Sequence, residues 1–181
     1  CPQTHLALQS GSASTLRRMR RRYTPQLFLK WAKCWREIRP DGGLTTDVIV
    51  GFPGETDEEF EDSMEMARQA QFSHIHVFPY SPREGTAAAE FPDMVNPAIQ
   101  KKRVAQLIAL GNQLSHEFAE QFVGKVLSVL VEKSSPQGAE GLIPQYVRTR
   151  IIDGEHLQSG DVVNVRINEA RGGELFGVLE N

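Results

Sequence analysis

Three short segments carry polar or aromatic side chains at or just beyond apolar runs. They are Gln9-Ser10-Gly11-Ser12, Asp47 with Gly51-Phe52-Pro53-Gly54, and Phe78-Pro79-Tyr80-Ser81. A side-chain amide and a carboxylate together can hold the two hydroxyls of a ribose. An arginine can take a carboxylate in bidentate fashion, and Arg17, Arg18, Arg20, Arg21 and Arg22 fall within six positions. Phe78, Pro79 and Tyr80 offer an apolar edge to a purine. Each segment taken alone also fits an ordinary turn, and the arginines also fit a solvated helix end. Three such segments in one chain favour a shared ligand site.

Other chemistries find less support. Ser10 is not in a G-x-S-x-G elbow, and no nucleophile, base and acid stand out together. His5, His74, His76, His116 and His156 lack metal-ligand spacing, and His74 and His76 read as packing or supporting hydrogen bonds on one side of a strand. Cys1 and Cys34 are far apart, which argues against a disulfide framework and against a self-contained zinc or iron–sulfur site. Cys34 is expected to pack on a helix with Trp31, Trp35 and Ile38. The glycines around Gly54 are not followed by the Lys-Ser/Thr of a phosphate-binding loop. The residues alone therefore assign no catalytic group and no metal ligand.

The elements that must position these residues alternate. A strand is predicted at 4–8, a short helix from Ser12 or Ser14 to Met19, and a helix from Thr24-Pro25 to Arg39. Pro40-Asp41-Gly42-Gly43 breaks it, and a strand runs from Leu44 to Val50. Val48-Ile49-Val50 reads as buried on both faces. Thr56 with Glu59 is a capping box opening a helix from Asp57 to Ala70, and a strand follows at Ser73–Val77. This βαβαβ order predicts a parallel sheet with right-handed crossovers. Ligands sit at the carboxyl ends of such strands, where the three segments fall. Three strands cannot close a barrel, so the sheet is expected to be part of a larger domain. A long helix starts at Asn96-Pro97 and is closed by Gly124.

The texture changes after about residue 123. Strands are predicted at Lys125–Glu132, Gly141–Ile152, Asp161–Ile167 and Glu174–Leu179, which suggests a small antiparallel barrel of the OB-like kind. Tyr146, Arg148 and Arg150, evenly spaced on one predicted strand, would share a face and could contact RNA by stacking and phosphate pairing. A half-solvated strand is the alternative, and this segment holds six basic residues against eight acidic ones. The whole chain has a net charge of −3, which excludes a globally basic nucleic-acid binder. No run approaches the roughly 20 apolar residues of a membrane span. The first residues lack the basic start and apolar core of a signal peptide, so no membrane partner and a cytoplasmic location are expected.

In order and spacing, the segments 5–12, 16–24, 46–56 and 76–86 resemble the radical-SAM methylthiotransferases. Met19-Arg20-Arg21-Arg22-Tyr23-Thr24 and His76-Val77-Phe78-Pro79-Tyr80-Ser81-Pro82-Arg83 look most like the branch that modifies threonylcarbamoyladenosine next to the tRNA anticodon. The isopentenyladenosine branch, the ribosomal-protein S12 branch and a non-catalytic RNA-binding module are the alternatives. Gly141 to Arg148 and Gly160 to Ile167 resemble the TRAM domain of that family. The resemblance implies an α/β fold: the C-terminal part of a partial TIM-type radical-SAM barrel over 1–123, then a TRAM β-barrel over 124–181. It implies S-adenosyl-L-methionine (SAM) as ligand, with Gln9 and Asp47 on its ribose and Arg21 on its methionyl carboxylate. Ser10, Gly51, Phe78 and Tyr80 complete the implied cofactor-binding set. It also implies tRNA as partner and 4Fe-4S clusters as cofactors. The family's C-x-x-x-C-x-x-C ligands are not in the chain, so it is expected to be the C-terminal portion of such an enzyme and inactive alone. Glu84 replaces a proline usual at that place.

Overall fold

The computed structural model describes residues 1–180. Two compact units divide the chain. One comprises His5–Pro40 with Leu44–Gly111; the other comprises Cys1–Thr4, Asp41–Gly43 and the chain from Asn112 onward.

A three-stranded sheet has the order β1 (Gln3–His5), β2 (Gly43–Val50), β3 (His74–Pro79), and His5, residues 44–50 of β2 and all of β3 fall in the first unit. β2 and β3 are parallel, with Thr45 opposite His74 and Val50 opposite Pro79. The first strand is shorter than the predicted 4–8 because a side chain takes over its ladder. Thr46 Oγ1 accepts the Leu8 amide (2.9 Å) and donates to the Leu6 carbonyl (2.6 Å). The Leu6 amide still bonds the Thr45 carbonyl (3.0 Å), and Gln9 forms a parallel bridge with Val48. β2 buries one face only: Leu44, Thr46, Val48 and Val50 are inside, while Thr45, Asp47 and Ile49 are half-buried on the other face. The expectation of a strand buried on both sides is therefore corrected, and the half-open face carries Asp47.

Helices follow the capping signals. α1 (Ala13–Arg18) starts after Ser12, and α2 (Pro25–Ile38) opens with Thr24 accepting the Leu27 amide. α3 (Asp57–Ala70) opens with a reciprocal capping box between Thr56 and Glu59. The packing predicted for α2 is only partly realised. Pro25, Phe28 and Ala32 are its buried residues, Phe28 meeting Phe72 edge-on at 6.1 Å. Leu27, Trp31, Ile38 and Cys34 are exposed. Phe28 and Ala32 make the buried face and Cys34 lies outside it, so Cys34 is not a packing residue. α4 (Pro97–Glu120) is shared, residues 97–111 falling in the first unit and 112–120 in the second.

The second unit contains a closed five-stranded barrel in the order β4 (Val126–Ser135), β5 (Gly138–Leu142), β6 (Arg148–Ile151), β8 (Glu174–Leu179), β7 (Val162–Arg171). Its pairings are antiparallel except β6 with β8, which is parallel. Phe118, Ala119 and Phe122 join Val129, Val131, Ile151, Val165, Ile167 and Leu175 in the barrel core. The strand predicted over Gly141–Ile152 is two strands, β5 and β6. A turn separates them, closed by the Ile143 amide on the Val147 carbonyl and the Tyr146 amide on the Ile143 carbonyl. Among the described residues no helix is long and apolar enough to cross a membrane.

Candidate functional site

A cavity of about 580 Å³ opens at the carboxyl end of β2 and β3, a size ordinary for small-molecule sites. Gln9, Arg21, Asp47, Phe78 and Tyr80 all line it, together with Ile49, Phe52, Pro79, Ser81 and Arg83. Its wall thus combines an amide, two guanidinium groups, one carboxylate and aromatic edges.

Each polar corner is held by the backbone. Gln9 sits in the left-handed region (φ 63°), pinned by its amide on the Asp47 carbonyl (2.8 Å) and its carbonyl on the Ile49 amide (2.9 Å). That conformation costs a non-glycine residue about 1–2 kcal/mol. Arg21 is delivered by the end of α1. Arg20 adopts φ 55°, its amide bonds the Arg17 carbonyl (3.0 Å), and the Arg21 amide bonds the Leu16 carbonyl (2.9 Å). This is the Schellman pattern, with arginine at the position glycine usually takes. Asp47 is central in β2, its side chain 32% exposed. Tyr80 is fixed by its amide on the Val50 carbonyl (2.8 Å) and stacks edge-on against Phe52 at 5.1 Å.

Three polar groups on this wall have no protein partner among the described residues. The Gln9 amide and the Arg21 guanidinium make no side-chain hydrogen bond or ion pair. The Tyr80 hydroxyl is buried and unpaired. A buried hydroxyl is costly when unsatisfied, and this one shares the wall with the unpaired Gln9 amide and the exposed Arg21 guanidinium, a set that suits a polar ligand.

A second set of residues holds the rim without lining the cavity. The Glu55 carboxylate accepts the Gly51 amide (2.8 Å). Arg103 of α4 donates to the Glu55 carbonyl (3.1 Å), to Glu55 Oε2 (2.9 Å) and to Asp57 Oδ1 (2.7 Å). One turn earlier, Gln100 donates to the Val50 (3.2 Å) and Tyr80 (3.0 Å) carbonyls, tying the ends of β2 and β3 together. Burial pushes the Glu55 carboxyl above its ordinary range, against the opposing pull of the Gly51 amide and Arg103. On the other side, Arg18 bonds Glu59 Oε2 (2.5 Å), Thr15 Oγ1 (3.0 Å) and the Gly54 carbonyl (3.3 Å). The Arg18 hydrogen bond, joined by Ser14, lowers Glu59 to about 2. Sequence reasoning assigned Glu59 only to the helix cap and missed Arg18, Glu55, Gln100 and Arg103 as supports. The side-chain pairs that join them to the rim span 41 residues (Arg18 with Glu59) and 48 residues (Arg103 with Glu55), and Gln100 reaches carbonyls 50 and 20 residues away.

Two of the residues proposed from sequence face away. Ser10 is fully buried, its hydroxyl 3.3 Å from that of Ser63 on α3 and accepting the Ser12 amide. Gly51 lies behind the wall, where a Cβ would come within 2.7 Å of the Gln100 side chain. On the barrel, Tyr146 is in the β5–β6 turn (φ 64°) and exposed, so it does not share a strand with Arg148 and Arg150. Those two arginines reach across to neighbouring strands. Arg150 pairs with Glu174 (2.8 Å) and Glu140 (3.5 Å), and Arg148 with Glu140 (3.4 Å).

SAM fits the cavity's donor set, since an amide, a carboxylate, a free guanidinium and an aromatic edge match its ribose, carboxylate and base. An iron–sulfur cluster does not fit the described residues. No group of three His, Cys, Asp or Glu side chains could hold a metal, and Cys1 and Cys34 are both single exposed thiols.

Residues 1–67 match the family model of the Radical SAM superfamily. The tRNA-2-methylthio-N(6)-dimethylallyladenosine synthase of Anoxybacillus flavithermus is 39% identical over 177 residues, 97% of this chain and 34% of that protein. The threonylcarbamoyladenosine tRNA methylthiotransferase MtaB of Bacillus subtilis is 39% identical over 171 residues, 92% of this chain and 38% of that protein. This chain therefore spans about a third of the length of these relatives. Among solved structures, coproporphyrinogen III oxidase (HemN) from Escherichia coli overlays with a TM-score of 0.54 at 15% identity, over 99% of this chain and 46% of that one. At that identity the overlay speaks for the fold alone.

Proposed function

Because this chain belongs to the radical-SAM methylthiotransferases, we propose that its cavity binds SAM for a tRNA-methylthiolating enzyme of which it forms a part. The observation that carries this reading is the trio of unpartnered polar groups on one wall, from Gln9, Arg21 and Tyr80. Arg21 takes the methionyl carboxylate in bidentate fashion. Gln9 and Asp47 hold the ribose diol, the amide donating and the carboxylate accepting. Phe78 and Tyr80 border the adenine, while Ser10 and Gly51 support the wall from behind. When bound with its cluster, SAM supplies the radical chemistry; these residues bind it, orient it and keep water from it.

The substrate we assign is a tRNA adenosine bearing a threonylcarbamoyl group, on the form of segments 19–24 and 76–83. The dimethylallyl substrate named for the A. flavithermus relative is the second reading. The barrel is assigned to RNA contact through Tyr146, Arg148 and Arg150.

Calorimetric titration of the 181-residue chain with SAM tests the cofactor assignment. Arg21→Ala and Asp47→Asn are each expected to weaken binding about tenfold or more, since a charge-assisted hydrogen bond contributes about 1.5–3 kcal/mol. Absence of binding, or two variants indistinguishable from the parent chain, would refute it.

A further inference from the structure

We propose that His5 is a positioning residue for Asp47: it holds the carboxylate so that one oxygen faces a ribose diol in the cavity. The inference rests on the assignment of Asp47 to the ribose and goes beyond it, since His5 does not line the cavity.

The geometry comes from strand periodicity. Thr45 and Asp47 are two residues apart on β2, so their side chains share the half-open face. His5, on the neighbouring strand, spans both. Its Nδ1 is 3.0 Å from Thr45 Oγ1, and its Nε2 is 3.4 Å from Asp47 Oδ2. With the threonine hydroxyl donating to Nδ1, the ring proton sits on Nε2, the nitrogen on the carboxylate's side and within ion-pair distance of it. This is the logic by which a fixed partner on one imidazole nitrogen sets the tautomer on the other. Oδ2 is thereby engaged, and Oδ1 is left for the ligand.

The surroundings keep the arrangement polar. His76 of β3 is opposite Asp47 in the strand register, and its ring centroid lies 6.2 Å from that of His5. His74 lies beyond it, 4.5 Å from the His76 ring. Burial and the neighbouring His76 lower the His74 pKa, which favours its neutral form. Asp47 is thus flanked by imidazoles from both adjacent strands, but only His5 is brought within reach of its carboxylate by a second anchored nitrogen. A carboxylate on an open sheet face with no such anchor would sample several rotamers, and a ligand that needs one of them would bind more weakly by the fraction lost.

The test uses the whole 181-residue chain with two probes, 5′-methylthioadenosine and its 2′,3′-dideoxy counterpart, by equilibrium binding. His5→Leu removes both contacts; His5→Gln keeps an N–H that can face Asp47. His5→Leu is expected to weaken methylthioadenosine about five- to tenfold, the worth of one ordinary hydrogen bond. It is expected to leave the dideoxy probe within about twofold of the parent chain, and His5→Gln should recover most of the loss. A purely structural role would weaken both probes equally, and that result, or a glutamine variant as weak as the leucine one, overturns the proposal. If Asp47→Asn weakens methylthioadenosine and His5→Leu does not, only the positioning role fails. If Asp47→Asn has no effect, or the parent chain does not bind methylthioadenosine, the ribose assignment itself fails and this inference with it.

Discussion

Replacing Arg103 with methionine keeps most of the apolar stem and removes the charge that serves Glu55. The pair is buried, with Arg103 6% and Glu55 1% exposed at the side chain. Removing one partner of such a pair costs about 3–5 kcal/mol, because the other charge stays inside without compensation. That is a large share of a domain stability of roughly 5–15 kcal/mol. The loss is also pH-dependent, and the sign follows from Glu55. Burial already raises its folded pKa above the ordinary 4.5, and Arg103 is among the groups that pull it down. Without Arg103 the folded pKa rises further. A carboxyl raised on folding favours the folded state most below its unfolded pKa and loses that contribution as pH rises through the folded value. The deficit of Arg103→Met should therefore be largest near pH 8 and narrow toward pH 5. The double variant Glu55→Gln with Arg103→Met should recover most of the loss, since a neutral amide can still accept the Gly51 amide. Urea unfolding followed by tryptophan fluorescence measures this. The chain's two tryptophans, Trp31 and Trp35, lie on α2 in the same unit as Glu55 and Arg103, so the signal reports that unit. A loss under about 1 kcal/mol at pH 7, or a deficit equal at pH 5 and pH 8, would refute the buried-pair reasoning.

Further outcomes are expected from the same structure. Glu59, lowered from 4.5 to about 2 chiefly by Arg18, contributes stability that is present above pH 4.5 and lost as pH falls toward 2. Glu59→Gln should thus cost up to about 3 kcal/mol at neutral pH and little near pH 2, read from urea midpoints across that range. Gly11→Ala would set a Cβ 2.4 Å from the Asp62 carbonyl oxygen and 2.5 Å from Ser63 Cα, so α3 must move. A loss of about 1–3 kcal/mol or more by thermal unfolding is expected. Gly85→Ala, at φ 78° in open space, is the control and should cost only the local conformational strain, about 1–2 kcal/mol. On the barrel, Glu140→Gln with Glu174→Gln frees Arg148 and Arg150 from their pairs. If the arginines contact RNA, this double variant should tighten binding of an anticodon stem-loop by anisotropy, and Arg148→Ala with Arg150→Ala should flatten the salt dependence by about one to two phosphate contacts. Unchanged affinity and slope in both would argue against that surface.

The fold was legible where the signals are local. The capping box at Thr56–Glu59 and the Thr24-Pro25 helix start each mark a helix within a residue of its observed end. The β-branched run at 48–50 marks β2, and the alternation after residue 123 marks a barrel. What depended on distant partners was not legible. Nothing in residues 4–8 shows that a threonine 38 residues later takes over the ladder at Leu8. Nothing in α4 distinguishes Gln100 and Arg103 from any other polar residues on a helix, since their partners lie between the end of β2 and the start of α3 and just after β3. The packing expected for α2 misled for a related reason: helical spacing gives candidate faces but not which one a neighbour covers, and here Phe28 and Ala32 are covered while Trp31 and Ile38 are not.

The site itself is where local preference is broken. Gln9 and Arg20 both adopt the left-handed conformation that sequence propensity reserves for glycine or asparagine. One places its own side chain on the cavity wall, and the other places its successor, Arg21, there. Strain of this kind persists only where the surrounding structure over-determines it, and Gln71, Asp93 and Tyr146 adopt the same conformation away from the cavity. Gln9 is fixed by two backbone bonds to β2, and Arg20 by the double closure of α1. A glycine at position 9 would relieve the local cost but remove the side-chain amide, whereas at position 20, where glycine suits the Schellman turn, it would relieve the cost and keep the turn that places Arg21 on the wall.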